Sequence, residues 1–299
     1  CLTEAHCGTD LGLIRTKAVP ENEAFRVSGQ KIFITAGEHD LSDNIIHLVL
    51  AKLPDAPPGA KGISLFLIPK ILVNDDGSLG DRNGVNCVSI EEKMGVHGSP
   101  TCVLSFEESL GYLVGEPHKG LEAMFSMMNN ERIAVGMQGL GVAEISYQNA
   151  LLYAKDRLQG RDLKGAKKPS EEADPLLVHP DIRRMLLRAK ALIDSSRMLS
   201  AWTALAIDKS VKDPDEKVRK ANNDLVELMT PIIKSILTDY GVEISSEMLQ
   251  IFGGHGYIRE YGMEQFYRDA RIAPIWEGTN GIQAMDLAGR KMPQGMGRL

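Results

Sequence analysis

Two periods divide the chain. Up to about Phe106 the apolar residues come in short runs, FRVSGQKIFIT, NIIHLVLAKL, GISLFLIPKI, NCVSIEEK and TCVLSFE, with Gly, Pro, Asn and Asp between them. That pattern predicts the strands of a compact antiparallel barrel or sandwich. The turn GEPHKG at 115–120 closes it, and Leu121, Met124, Phe125 and Met128 then fall at i, i+3, i+4 and i+7, one apolar face of a helix running to about Gln159. Gly136, Gly139 and Gly141 inside that helix weaken it but permit close approach of a neighbour, which suits a tight bundle. Residues 160–180 are polar and broken by prolines, a loop between long helices. Helical patterns follow over 181–210 and 214–240, another starts near Ser245 and ends in Gly253, Gly254 and Gly256, and a short one spans 281–291. The expected fold is α+β multidomain: an antiparallel β-barrel or sandwich domain over 1–114, then an up-down α-helical bundle over 115–299.

Composition narrows the function. With 299 residues, 43% hydrophobic and 25% charged, the chain can bury two cores. A net charge of -6 without a long basic run argues against a nucleic-acid partner. No apolar run approaches the roughly 18 residues of a membrane span, and no basic-then-apolar leader is present. Cys1, Cys7, Cys87 and Cys102 form no C-x-x-C pair and read as free thiols in a reducing compartment. The histidines have no metal spacing, no G-x-S-x-G or Ser-His-Asp arrangement is present, and GGHGY lacks the βαβ surroundings of a dinucleotide fingerprint, so no metal is expected.

Five strings in order carry a resemblance: CLTEAHCGTD at 1–10, QKIFITAG at 30–37, KMGVHGSPTCVLSFE at 93–107, QIFGGHGY at 250–257 and PIWEGTNGIQ at 274–283. They resemble the acyl-CoA dehydrogenase family, whose members show C-x-T-E-P-G-A-G-S-D, Q-K-x-W-I-T-N-G, Q-x-x-G-G-x-G-Y and I-Y-E-G-T-x-x-I-Q in the same order. YAKDRLQGR at 153–161 in place of R-x-Q-F-G, and WEGTNG in place of YEGTSE, are most similar to the 3-methylmercaptopropionyl-CoA dehydrogenases. The match corresponds to the family's middle barrel and C-terminal four-helix bundle. Because the chain opens inside a motif and the family carries a further N-terminal helical domain, the sequence is expected to be a piece of a longer protein, cut at both ends. That piece alone is expected to bind FAD weakly or not at all.

The resemblance implies FAD-dependent oxidation of an acyl-CoA thioester to the 2,3-enoyl-CoA, on 3-methylmercaptopropionyl-CoA or a short or medium acyl-CoA. Electrons would leave to an electron-transfer flavoprotein, from a homodimer or homotetramer in the bacterial cytoplasm, with the mitochondrial matrix as the other location. The chemistry needs a carboxylate held dry, since burial raises its pKa toward neutrality. Glu277 matches the family's commonest base, flanked by Ile275 and Trp276; Glu131 on the first bundle helix matches the position that other members use. Met128 and Arg132 are implied at the substrate. For FAD, the resemblance implies Leu2, Thr3, Gly8 and Thr9 in the first loop and Phe33, Ile34 and Thr35 on the strand, with the Thr3 and Thr35 hydroxyls at the flavin's polar edge. It further implies Arg157 and Gln159 reaching across a subunit interface, Gln250, Gly253 and Gly254 at the adenosine half, and Thr279 and Gln283 after the base. Phe33 stands where Trp is usual and Gly160 where Phe is usual. Read alone, Gly253 to Gly256 is a helix C-cap and turn. An acyl-CoA oxidase, or a DNA-binding flavoprotein of the alkylation response, would share the same fold.

Overall fold

The computed structural model describes residues 1–293. It resolves into two compact units, Cys1–Met128 and Asn129–Leu299, whose boundary falls within one long helix, α1 (Gly120–Asp156).

The first unit is built on a six-stranded sheet in the order β2-β1-β3-β4-β8-β7, closed by a further pairing of β2 with β8. Its strands are β1 (Lys17–Glu21), β2 (Ala24–Thr35), β3 (Ile46–Lys52), β4 (Ile63–Pro69), β7 (Val85–Ile90) and β8 (Thr101–Val114); β5 (Ile71–Val73) and β6 (Leu79–Arg82) form a separate ribbon. Pairing is antiparallel throughout except for one parallel register between β1 and β3. The run ISLFLIP in β4 does not alternate because both of its faces are covered. Phe66 and Ile68 join Val49, Ala51, Leu104 and Phe106 inside the barrel, while Leu65 joins Leu50, Ile63, Ile14 and Met124 on the other side. The turn at 115–120 docks on β4: the His118 N–H donates to Ser64 Oγ at 2.9 Å, and a Cβ on Gly120 would lie 2.3 Å from the Ser64 carbonyl carbon. Strand β1 was not legible in the sequence; KAVPE is short and carries Pro20, which suits only a strand with little ladder to complete.

The second unit rests on three long helices, the C-terminal part of α1, α2 (Pro180–Lys212) and α3 (Glu216–Ile251), with α4 (Gly254–Tyr257), α5 (Met263–Ala270) and α6 (Asn280–Asp286), the last continuing as a π-turn over Leu287–Lys291. One expectation fails here. The patterns over 214–240 and from Ser245 are a single 36-residue helix, α3. Gly241 lies inside it as a packing residue, since a Cβ there would come within 3.0 Å of the Gly139 backbone on α1. At the same crossing a Cβ on Gly139 would meet the Leu237 carbonyl oxygen at 2.3 Å, and one on Gly136 would meet Ile233 Cγ2 at 2.8 Å. The glycine expectation holds for Gly136 and Gly139 but not for Gly141, which faces open space. Gly139→Ala therefore forces two backbones apart, and we expect a loss of about 1–3 kcal/mol in a denaturant titration, against no loss for Gly141→Ala. Around this crossing Leu140, Tyr147, Met185, Ile193, Ile233, Leu237 and Met248 form the core. Among the described residues no helix is long and apolar enough to cross a membrane.

Candidate active site

In the second unit the chain reaches α6 through the turn Pro274–Thr279, which holds its carboxylate in an uncommon conformation. Glu277 has φ 51° and Gly278 φ 83°, two consecutive left-handed residues. The first is costly for a side-chain-bearing residue, so its surroundings must hold it there. They do so from three sides: the Asn280 N–H donates to the Pro274 carbonyl (3.1 Å), the Gln283 Nε2 amide to the Gly278 carbonyl (3.1 Å), and the Ile282 N–H to Thr279 Oγ1 (3.2 Å), which makes Thr279 the N-cap of α6. Gly278 suits its place because a side chain rarely adopts its φ of 83°, and a Cβ would sit 2.7 Å from Gln283 Nε2. Gln283 itself is 1% exposed, and its Oε1 finds no partner among the described residues. Burial pushes the Glu277 carboxyl above the ordinary range, the nearby negative charge of Glu131 pushes it further, and Arg132 and Lys234 pull it back. A carboxylate so placed is suited to taking a proton from a weak carbon acid.

Glu131 and Arg132 lie side by side on α1 and part company. Glu131 is exposed. Arg132 is 5% exposed, its guanidinium 3.4 Å from Asp286 on α6, and Asp286 also takes Arg290 at 3.2 Å. Arg132 thus joins α1 to the helix that follows the Glu277 turn. Met128, implied at the substrate, is partly buried against the Leu50, Leu65 and Met124 cluster of the first unit.

A second feature of the helical unit gathers residues from separate strings. Arg157, Gln159, Gln250, Gly253 and Gly254 line one cavity of about 320 Å³. Gly253 has φ 58° and ψ -136°, a conformation closed to other residues, and Cβ atoms on Gly253 and Gly254 would meet nothing, so the backbone there is open to a guest. Gly256 serves packing instead, since its Cβ would lie 2.4 Å from the Leu249 carbonyl oxygen. The wall is aromatic in a way the sequence did not reveal. Tyr153 stacks on Phe252 at 4.0 Å, His255 stacks on Tyr261 at 4.5 Å, and Tyr153 Oη lies 2.8 Å from His255 Nδ1. Gly160, at φ 71°, turns the chain beyond Gln159 beside the His179 ring. The loop behind it is organised by buried Asp174: burial alone would raise its pKa, but N–H donors from Asp162, Lys168 and Lys167 hold it down at about 2.

In the first unit the opening loop and β2 are tied by a buried ion pair that the sequence reading missed. Lys31, wholly buried, donates to Glu4 Oε1 (2.9 Å) and to the Leu2 carbonyl (3.0 Å), while the Ile32 N–H donates to the Thr3 carbonyl (2.9 Å). Glu4 also accepts from the N–H groups of Arg15 (2.7 Å) and Thr16 (3.0 Å) and from Thr16 Oγ1 (2.7 Å). Burial would raise the Glu4 pKa; these donors and Lys31 outweigh it and bring it to about 2. A register shift in β2 between Lys31 and Ile34 then turns Phe33 outward, 60% exposed at φ 59°. Thr35 is exposed too, whereas the Ile34 side chain packs on the barrel core and leaves only its backbone for a ligand. Gly8 and Thr9 are exposed, and Gly8 sits against Thr3, 3.4 Å from its methyl to a built Cβ. Glu4, His6 and Cys7 bring donor atoms within 4.8 Å of one another. They do not offer a ligand set: Glu4 is committed to the donors above, and His6 Nε2 is engaged with the Leu13 carbonyl at 2.9 Å.

This chain belongs to the acyl-CoA dehydrogenase family: the family's C-terminal domain matches residues 118–292 and its middle domain residues 1–109. It is 49% identical over 298 residues to the 3-methylmercaptopropionyl-CoA dehydrogenase of Ruegeria pomeroyi, covering 99% of this chain and 50% of that protein. Among solved structures it is similar to the butyryl-CoA dehydrogenase of Megasphaera elsdenii (30% identity, TM-score 0.76, 96% of this chain and 66% of that one). A chain in the structure titled as the electron transferring flavoprotein of Acidaminococcus fermentans is 26% identical, with TM-score 0.76, covering 96% of this chain and 66% of that one. The chain spans about half the length of the first curated relatives it matches.

Proposed function

We propose that the protein containing this chain is an FAD-dependent acyl-CoA dehydrogenase that converts an acyl-CoA thioester to its 2,3-enoyl-CoA, with Glu277 as the base. The observation that supports this most is the half-buried Glu277, raised in pKa and locked in a left-handed turn by Gly278, Thr279 and Gln283. The thioester carbonyl acidifies the α-carbon. The α C–H bond breaks, its proton passes to a Glu277 carboxylate oxygen, and its electron pair forms the 2,3 double bond as hydride leaves the β-carbon. FAD, when bound, supplies the acceptor for that hydride.

The residues fit such a group. Phe33 offers an exposed ring, Thr3 and Thr35 hydroxyls, Leu2 and Ile34 backbone, and Gly8 and Thr9 an open loop. In the helical unit the cavity of Arg157, Gln159, Gln250, Gly253 and Gly254 suits a nucleotide half, which enters where a Cβ would close the wall. Thr279 and Gln283 hold the turn from beneath. We assign 1–114 to the barrel domain and 115–299 to the bundle. Arg132 and Met128 serve the acyl side, the former by fixing α1 to α6. The substrate is 3-methylmercaptopropionyl-CoA or a short or medium acyl-CoA, as the names of the relatives support. An electron-transfer flavoprotein is the acceptor, a homodimer or homotetramer the assembly, and the bacterial cytoplasm the location.

The test is anaerobic bleaching of the flavin by a series of acyl-CoAs that includes 3-methylmercaptopropionyl-CoA. A base acts only when deprotonated, and Glu277 is raised, so the bleaching rate falls on acidification at a pH above the usual carboxylate range. A rate flat down to the ordinary glutamate range, or no bleaching by any thioester, contradicts the reading.

A further inference from the structure

Lys234 lies halfway along α3 with no exposed surface. An ammonium has three donors, and taking it out of water is costly unless it is paired. Among the described residues its hydrogen-bond partner is a neutral amide: it donates to Asn280 Oδ1 at 2.8 Å. The Asn280 amide is oriented from both ends, since its Nδ2 donates to Asp239 Oδ1 (2.7 Å) and to Thr238 Oγ1 (3.0 Å). Asn280 stands three residues after Glu277, in the turn that its own N–H closes onto Pro274. It is also one of the three residues by which WEGTNG differs from YEGTSE, and the shorter serine would offer a single oxygen where Asn280 offers a carbonyl to Lys234 and a separate N–H to Asp239.

The other charges near this turn in the helical unit are Glu131 and Arg132 on α1, Asp239 on α3, and Asp286 and Arg290 at and beyond the end of α6. Arg132 and Arg290 both lie against Asp286, and Asp239 is taken by Asn280. Among the described residues Lys234 is then a buried cation with no carboxylate within ion-pair distance, fixed to the loop of Glu277.

We propose that Lys234 is a positioning residue for the reaction: its ammonium, aimed by Asn280, is a counter-charge that acts with Arg132 to keep Glu277 ionised in a dry site. The proposal rests on Glu277 being the base. Burial brings Lys234 down to about 8, opposed by Asp239 and Glu277, so it is still a cation at neutral pH. Its field works on Glu277 against burial and against Glu131. Without it the carboxyl would hold its proton to higher pH, and the base would be blocked where the enzyme works.

The experiment is infrared difference spectroscopy of the holoenzyme across pH, following the protonated-carboxyl stretch that is missing from Glu277→Gln, in wild type, Lys234→Gln, Lys234→Met and Asn280→Ser. Lys234→Gln keeps a donor for Asn280 and removes the charge. The expected result is that the Glu277 band persists to a pH higher by about one unit in both Lys234 variants, with the acid limb of flavin bleaching displaced alongside it, and by less in Asn280→Ser. A folded Lys234→Gln enzyme whose Glu277 titrates as in wild type overturns the proposal, whatever its melting temperature. If the Lys234 variants do not fold, Asn280→Ser decides: a displaced band supports the counter-charge and an unmoved one refutes it. Should Glu277→Gln retain proton abstraction, the assignment of the base fails, while the carboxyl band still judges Lys234.

Discussion

Glu277→Gln lowers the rate of flavin bleaching by an acyl-CoA by about 10²–10⁴-fold, and Glu131→Gln leaves it within a few-fold of wild type. A positioned general base contributes on that scale, and glutamine keeps the shape of the side chain while losing the proton acceptor. The two carboxylates differ in setting. Glu277 is half-buried in a turn whose φ values no unconstrained residue would choose, whereas Glu131 is exposed on α1 and acts on Glu277 through its charge. Stopped-flow absorbance under anaerobic conditions reads both variants; the reverse ranking would move the base to α1.

Lys31→Met costs the barrel about 3–5 kcal/mol, because it leaves Glu4 buried at 5% exposure with its cation gone. Replacing both partners, Glu4→Gln with Lys31→Met, recovers part of that loss, since no uncompensated charge then remains. The sign with pH follows from Glu4. Its folded value, about 2, lies below the ordinary 4.5, so the contribution is complete above the ordinary value and disappears as pH falls through about 2. Denaturant titrations of the three variants between neutral pH and acid measure both effects. Equal stability of Lys31→Met and wild type at neutral pH would mean that the pair does not hold the opening loop on β2.

What the sequence disclosed and what it hid follow from the range of the interactions. The change from alternation to a 3.6-residue period is local, and it separated a β unit from a helical unit. The strings at 250–257 and 274–283 contain Glu277, Gln250, Gly253 and Gly254, and YAKDRLQGR contains Arg157 and Gln159, so residues of the helical cavity could be singled out from motifs whose turns, EGTNG and GGHG, carry their geometry in their own residues. Contacts distant in sequence were hidden. Glu4 and Lys31 stand 27 residues apart in two strings, each readable as an ordinary surface charge until the loop is laid on the strand. Lys234 is the one charge in the run PIIKSIL, where a lone lysine reads as the solvent side of a helix, and only the crossing at Gly136 and Gly139 brings its neighbours Ile233 and Leu237 against α1. The division of α3 after residue 240 has the same origin: Gly241 is a contact surface once Gly139 is beside it. The stacking of Tyr153 and His255 with Phe252 and Tyr261 brings together residues of α1 and of the turns after α3, so no single motif contained it.

Whether Glu277 takes the α-proton is read from the mass of the thioester recovered after one anaerobic turnover of the holoenzyme with α-deuterated butyryl-CoA or 3-methylmercaptopropionyl-CoA in ordinary water. The expected product is a 2,3-enoyl-CoA that has lost one hydrogen isotope from the α-carbon and one hydrogen from the β-carbon, formed by wild type and not by Glu277→Gln. A thioester recovered with its α-deuterium and saturated chain intact, from an enzyme loaded with FAD, would contradict it.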